Sequence, residues 1–215
     1  MRALPTAIWL AVGVFVGVPT ALGRPPERVG PERFGQVARA NRGSLVRIRT
    51  DKSGAIWTDG VVIGAEGEVL FPARPTPTPR MWVAVGDAAP RAADLLGFDR
   101  ALGVAVARLT PGPRLTPARA DDTQELWADR WLVVLTHDKT GQPTSHAGQV
   151  VGTAAPGGLI TAELPGRPGS PLFGSDGALV AVAVEGGKRR VRARPLAGLM
   201  PFLRRVVLGG AGGGR

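Results

Sequence analysis

With 215 residues, 44% hydrophobic and 20% charged, the chain reads as globular and is too apolar for intrinsic disorder. It has no Cys and two His, which excludes disulfide frameworks, thiol nucleophiles, iron–sulfur clusters and thiolate zinc sites, and leaves little for a multi-His metal site. Lys+Arg 27 against Asp+Glu 17 gives a formal charge of +10, which favours anionic partners: nucleic acid, acidic lipids, cell-wall polymers or acidic proteins.

Nucleic acid fits poorly, because the cations are scattered, Tyr is absent and aromatics are only 5%. No cofactor is expected.

Residues 3–23 carry no charge, and 8–18 form a dense apolar run after Arg2. Ala21-Leu22-Gly23 offers small residues at signal-peptidase spacing, and Pro19 breaks the chain just ahead of them. Residues 1–23 are therefore expected to be a signal peptide or an N-terminal anchor, the membrane contact being limited to an uncleaved segment. Either way the body is exported, to the periplasm or beyond. A Cys-free exported chain points to a bacterial envelope.

A Pro/Arg linker, 24–31, precedes a predicted helix at 32–41 with Phe34 and Val37 on one side. Short β-branched runs follow at 44–50, 60–63, 68–71, 81–85, 94–97 and 104–109. A proline-laced stretch at 110–119 separates them from a second set at 131–136, 148–153, 159–162, 171–173, 179–185 and 190–194. Short strands every 8 to 12 residues or so, broken by Gly, Asp and Pro, describe an all-β barrel or sandwich. Two sets of six around a linker predict two small barrels, about 44–109 and 131–194. A C-terminal helix is expected at 196–208 despite Pro201, and a frayed tail at 209–215.

The order of the runs resembles a family. Ser44-Leu-Val-Arg-Ile-Arg-Thr50 is similar to a first strand after an N-terminal helix, and Asp59-Gly-Val-Val-Ile-Gly-Ala-Glu-Gly-Glu-Val-Leu70 to a hairpin leading into a catalytic His. Gly97-Phe-Asp-Arg-Ala-Leu-Gly-Val-Ala-Val-Ala-Arg-Leu109 is similar to a segment carrying a catalytic Asp, D-x-x-x-D-L-A-V-L-K. Residues 131–151 resemble a strand, an active-site loop and a returning strand. Gly166-Arg-Pro-Gly-Ser-Pro-Leu-Phe173, followed by Asp176-Gly177, resembles the nucleophile loop G-[DN]-S-G-G-P-L-F and its D-G turn. Together these resemble the trypsin-like serine peptidases, specifically the HtrA-type bacterial envelope proteases, over most of 34–206. The resemblance implies two six-stranded antiparallel β-barrels with short terminal helices, a single peptidase-fold domain over 32–208, and a site between the barrels. No PDZ-sized segment follows, so that family's peptide-sensing part is not expected.

The family's catalytic residues do not carry over. Arg74 stands at the His position, Gly103 at the Asp position and Pro168 at the nucleophilic Ser position. Acyl transfer needs a nucleophile, an imidazole base and a carboxylate to orient it. Arg74 cannot serve as the base. Pro168 also removes the backbone N–H that serves in this family as one of two oxyanion donors. A pseudoenzyme is expected, acting through a protein partner in an envelope assembly.

Two rival readings remain. Ser170 is a candidate relocated nucleophile, with His137 and His146 as its available imidazoles; the plainer expectation makes Ser170 a turn residue and both His exposed loop residues. A His137/Asp138/His146 metal site lacks a fixed third ligand. On a strand, Arg190, Arg192 and Arg194 would project from one face as a basic ridge about 13 Å long, suited to an anionic polymer or lipid surface. Arg74 would add to that ridge or pair with an Asp. Of the five Trp, Trp9 belongs to the leader, and Trp82 and Trp131 are expected in the core. Trp57 and Trp127 are expected to pack in the core or at turns, with partly exposed interface anchors as the alternative. The 71–80 run reads as a stiff loop.

Overall fold

The computed structural model describes residues 29–49, 57–73, 77–109, 115–123, 125–153 and 158–208. The expected leader, most of the linker, Arg74 and the 209–215 tail lie outside them. Among the described residues, no helix is long and apolar enough to cross a membrane.

Helix α1, Pro31–Asn41, starts with Pro in its first turn beside Glu32 and ends with Arg39, an order that suits the helix dipole. Six strands follow: β1 Leu45–Arg49, β2 Thr58–Val62, β3 Glu68–Pro72, β4 Arg80–Val85, β5 Arg91–Asp99 and β6 Val104–Leu109. They close into an antiparallel barrel in the order β1-β2-β3-β6-β5-β4. The second set is β7 Trp131–His137, β8 Pro143–Thr153, β9 Ile160–Glu163, β10 Pro171–Phe173, β11 Leu179–Glu185 and β12 Val191–Pro195. These close as β10-β11-β12-β9-β8-β7. Helix α2, Leu196–Leu203, and a π-helical turn, Arg204–Leu208, are the last described elements.

Each barrel has its own interior, and a further apolar cluster fills the space between them. Ala105, Ala107 and Leu109 of β6 face the first barrel's interior, while Val104 and Val106 face the cluster between barrels. On β7, Leu132 and Val134 point into the second barrel, and Val133 and Leu135 point out to the shared cluster. Strands buried on both faces read as unbroken apolar runs, which is why Val-Ala-Val-Ala and Leu-Val-Val-Leu lack a polar alternation.

The first and last described helices clasp this arrangement. Leu196, Leu199, Phe202 and Leu203 of α2 join the shared cluster, and Val206 packs on Gly97 of the first barrel, at a bulge in β5. Helix α1 reaches the second barrel. Phe34 lies 5.2 Å from Trp131, and Asn41 donates to the carbonyls of Val37 and Gly177. The crossing at 115–123 is pinned to both barrels by Ala118 N–H to Val62 O and Leu179 N–H to Arg119 O.

Most strand limits differ from the expectation by a residue or two, and β5 and β8 by more. β5 extends over nine residues rather than four. β8 starts at Pro143 rather than Gly148, because β7 pairs it along its full length from Trp131↔Gln149 to His137↔Pro143. Its outer half is polar and carries no apolar signal. β12 begins at Val191, so Arg190 precedes it. Trp82 and Trp131 are half-buried rather than core residues.

Candidate functional site

Asp59 stands second in β2, one residue ahead of an apolar run, and its side chain points across to the second barrel. It is 0% exposed. A buried carboxylate must find donors, and this one finds four. Thr136 Oγ1 donates to it at 2.6 Å, Ser170 Oγ at 2.8 Å, the His137 backbone N–H at 3.3 Å and the His137 ring Nδ1 at 2.8 Å. Because the carboxylate accepts only, the ring proton lies on Nδ1. All four donors come from the second barrel, the acceptor from the first.

The 166–170 loop is held at the same junction. The Pro168 carbonyl accepts from Thr58 Oγ1 at 2.8 Å and from the Asp59 N–H at 3.2 Å. Within the loop, Gly166 N–H donates to Gly187 O, Arg167 N–H to Ser170 Oγ, Gly169 N–H to Ala183 O and Ser170 N–H to Arg167 O. Pro168 has no N–H to give. Every amide donor from 166 to 170 therefore has a protein partner. Gly169, at φ +88°, lies so close to β2 that a Cβ there would overlap the Asp59 carbonyl.

An open cleft of about 850 Å³ lies beside this junction, lined by both histidines, Lys139, Arg167, Pro168 and Lys188 among others. Asp138, the one acid of its lining, turns onto its own loop: Oδ1 accepts from Thr140 N–H, Thr140 Oγ1 and Gln142 N–H. The Thr140 hydroxyl, then the backbone donors, hold its carboxyl below the ordinary 3.8.

The structure corrects the expectation for the histidines. His137 is the last residue of β7 and is 3% exposed; His146 is exposed, but on β8 rather than in a loop. Ser170 does follow a turn, yet it is 0% exposed and its hydroxyl is committed to Asp59. Among the described residues no three His, Asp or Glu side chains gather as a metal site.

Gly103 lies at φ +76° in the turn before β6, its N–H donating to Asp99 O and its carbonyl accepting from Ala73 N–H. It lines a separate hollow of about 130 Å³ with Arg100 and Arg194, apart from Pro168.

The arginines of the expected ridge have local partners. Arg190 meets Glu163 at 3.2 Å, and Arg192 meets both Glu185 oxygens at 3.1 Å. Arg194 donates to the carbonyls of Leu102 and Ala101.

Sequence reasoning missed Asp59. A charged residue opening an apolar strand was a usable signal, but Asp-Gly also reads as a turn. It also missed the shelf at Trp57, whose ring lies 5.1 Å from the guanidiniums of both Arg47 and Arg49, and whose carbonyl accepts from Arg167.

Residues 43–182 match the model of the trypsin-like peptidase domain. The chain belongs to the trypsin-like peptidase domain family. Its fold is similar to the crystal structure of the serine endoprotease from Yersinia pestis, with a TM-score of 0.73 and 14% identity over 86% of this chain and 69% of that one. At that identity the likeness is one of fold. A search of the curated proteins finds no match. The two closed six-stranded barrels with short helices are the trypsin-like fold.

Proposed function

We propose that this trypsin-like domain has lost proteolysis and works as a binding or structural component of a protein assembly in the bacterial envelope. The observation that carries this reading is the closed junction around Asp59. A working acyl-transfer site needs an accessible nucleophile and free N–H donors aimed at the developing oxyanion. Here Ser170 Oγ donates to Asp59 and accepts from Arg167 N–H, while the loop's amide donors are all engaged. Arg74, Gly103 and Pro168, at the positions where the family carries His, Asp and Ser, support the same reading. Export rests on the uncharged 3–23 segment.

The rival endopeptidase would use Ser170. His137 does reach the same carboxylate, so an acid, an imidazole and a hydroxyl are gathered. Yet they are joined through Asp59, with Ser170 on one oxygen and the His137 ring on the other. In a working relay the imidazole stands between carboxylate and hydroxyl.

Incubation of the purified protein with casein tests the reading. No turnover is expected. Turnover that Ser170→Ala abolishes would establish the rival.

A further inference from the structure

We infer that the cleft beside the Asp59 junction is a binding site for an acidic polypeptide segment, read by Lys139, Lys188 and Arg167. This rests on the reading of the domain as a binding module and names the chemistry of its partner.

Three features of the cleft point there. First, its charge is one-sided. Lys139, Arg167 and Lys188 line it, and its one carboxylate, Asp138, is spent on three donors of its own turn. Lys139 and Lys188 are exposed and form no ion pair among the described residues, whereas Arg190, just before β12, and Arg192, on it, both do. A cation left without a carboxylate at a concave surface is available to an anion from outside.

Second, the backbone of the loop at the cleft's inner wall is already used. Gly169 N–H bonds Ala183 O, Ala183 N–H bonds Ser170 O, and Gly166 and Gly187 exchange both their hydrogen bonds. A Cβ on Gly186 would press into Gly166 and Arg167, so the 166–170 loop lies flat on the end of β11. An extended ligand cannot add to these paired groups by strand pairing. Recognition falls to side chains, and the three cations of the lining, Lys139, Arg167 and Lys188, outnumber its one carboxylate.

Third, the basic surface continues out of the cleft. Arg167 donates to the Trp57 carbonyl, Arg47 and Arg49 lie over the Trp57 ring, and Arg47 also abuts Gly141 of the turn that carries Lys139. A ligand longer than the cleft would therefore meet further cations. The described lining has no Phe, Tyr or Trp on which a base could stack, and the Trp57 ring is engaged by guanidiniums. That favours carboxylate side chains over nucleotides.

The test uses the full chain and fluorescent, end-capped dodecapeptides alternating Glu with Ala, or Gln with Ala, followed by anisotropy. The Glu peptide is expected to bind at least about tenfold more tightly than the Gln peptide, and to weaken with added salt. The Lys139→Glu/Lys188→Glu double variant should weaken it by about tenfold, and Lys139→Arg/Lys188→Arg should not. Equal binding of the two peptides, both lost in the Glu variant, would overturn charge recognition while leaving a peptide-binding cleft. Tighter binding of a DNA duplex than of the Glu peptide, or no binding of any probe, would also overturn the inference. Casein turnover by the same preparation would instead overturn the binding-module reading beneath it.

Discussion

Ser170 Oγ and Asp59 Oδ2 meet at 2.8 Å across 111 residues of sequence, joining the loop before β10 to the second residue of β2. That bond takes the serine hydroxyl out of the cleft and makes the loop part of the contact between barrels. The two partners matter unequally. Ser170→Ala leaves Asp59 three donors but takes the acceptor from the Arg167 N–H, and is expected to cost about 1 to 2 kcal/mol. Asp59→Ala strands Thr136, His137 and Ser170 at a buried junction and is expected to cost about 3 to 5 kcal/mol. Urea unfolding of the two variants checks the order; equal losses would contradict it.

Gly169→Ala should be among the most damaging single-methyl changes in the chain. The backbone there is at φ +88°, and the new Cβ would overlap the Asp59 carbonyl. A loss of about 2 to 4 kcal/mol is expected from strain and overpacking together. Thermal unfolding measures it, and an unchanged midpoint would show that the loop does not sit flat on β2.

On the proposed reading, placing the family's catalytic residue types at the positions aligned with them should not confer activity. Arg74→His, Gly103→Asp and Pro168→Ser together supply an imidazole, a carboxylate, a hydroxyl and one backbone N–H. The N–H groups of Gly166, Arg167, Gly169 and Ser170 remain engaged. Casein turnover by the triple variant is expected to stay at the level of the unmodified protein. A rise of about 10²-fold, the worth of one oxyanion donor, would contradict this.

The Asp138 turn carries a pH signature. Its carboxyl is held below 3.8 by the Thr140 hydroxyl and by the backbone donors. A depressed carboxyl lends its stabilisation above its unfolded value and loses it as pH falls through the lower, folded one. The Thr140 and Gln142 amide resonances should therefore titrate with a midpoint under 3.8. A midpoint at or above that value would place the carboxyl free in solvent.

Exposed ion pairs on the second barrel should matter little. Arg192 and Glu185 are both more than half exposed, and Arg192→Ala is expected to change stability by less than about 1 kcal/mol. A larger loss in urea unfolding would give this pair a structural role the geometry does not suggest.

Most of the barrel architecture is legible in the chain because strands sandwiched between two apolar clusters write themselves as continuous runs, as in Val104 to Leu109 and Leu179 to Glu185. Polar strand is not legible. The outer half of β8, Pro-Thr-Ser-His, has no alternation and is recruited by pairing with β7, which is why His146 reads as loop. His137 fails for a different reason. Its neighbour Asp138 opens a turn, so the residue reads as exposed, yet its burial depends on a carboxylate 78 residues earlier. Long-range polar contacts of this kind leave no local pattern. The departures expected at Arg74, Gly103 and Pro168 are read residue by residue, but the hydrogen bonds that hold the 166–170 loop on Asp59 and Ala183 are not.

Labelling of the full chain with a fluorophosphonate probe, mapped by mass spectrometry beside an active serine protease, tests whether Ser170 is reachable. A hydroxyl that donates to a buried carboxylate at 0% exposure should take no adduct, and none is expected on Ser170. A stoichiometric adduct on Ser170 would mean an activated, reachable nucleophile and would contradict the closed junction.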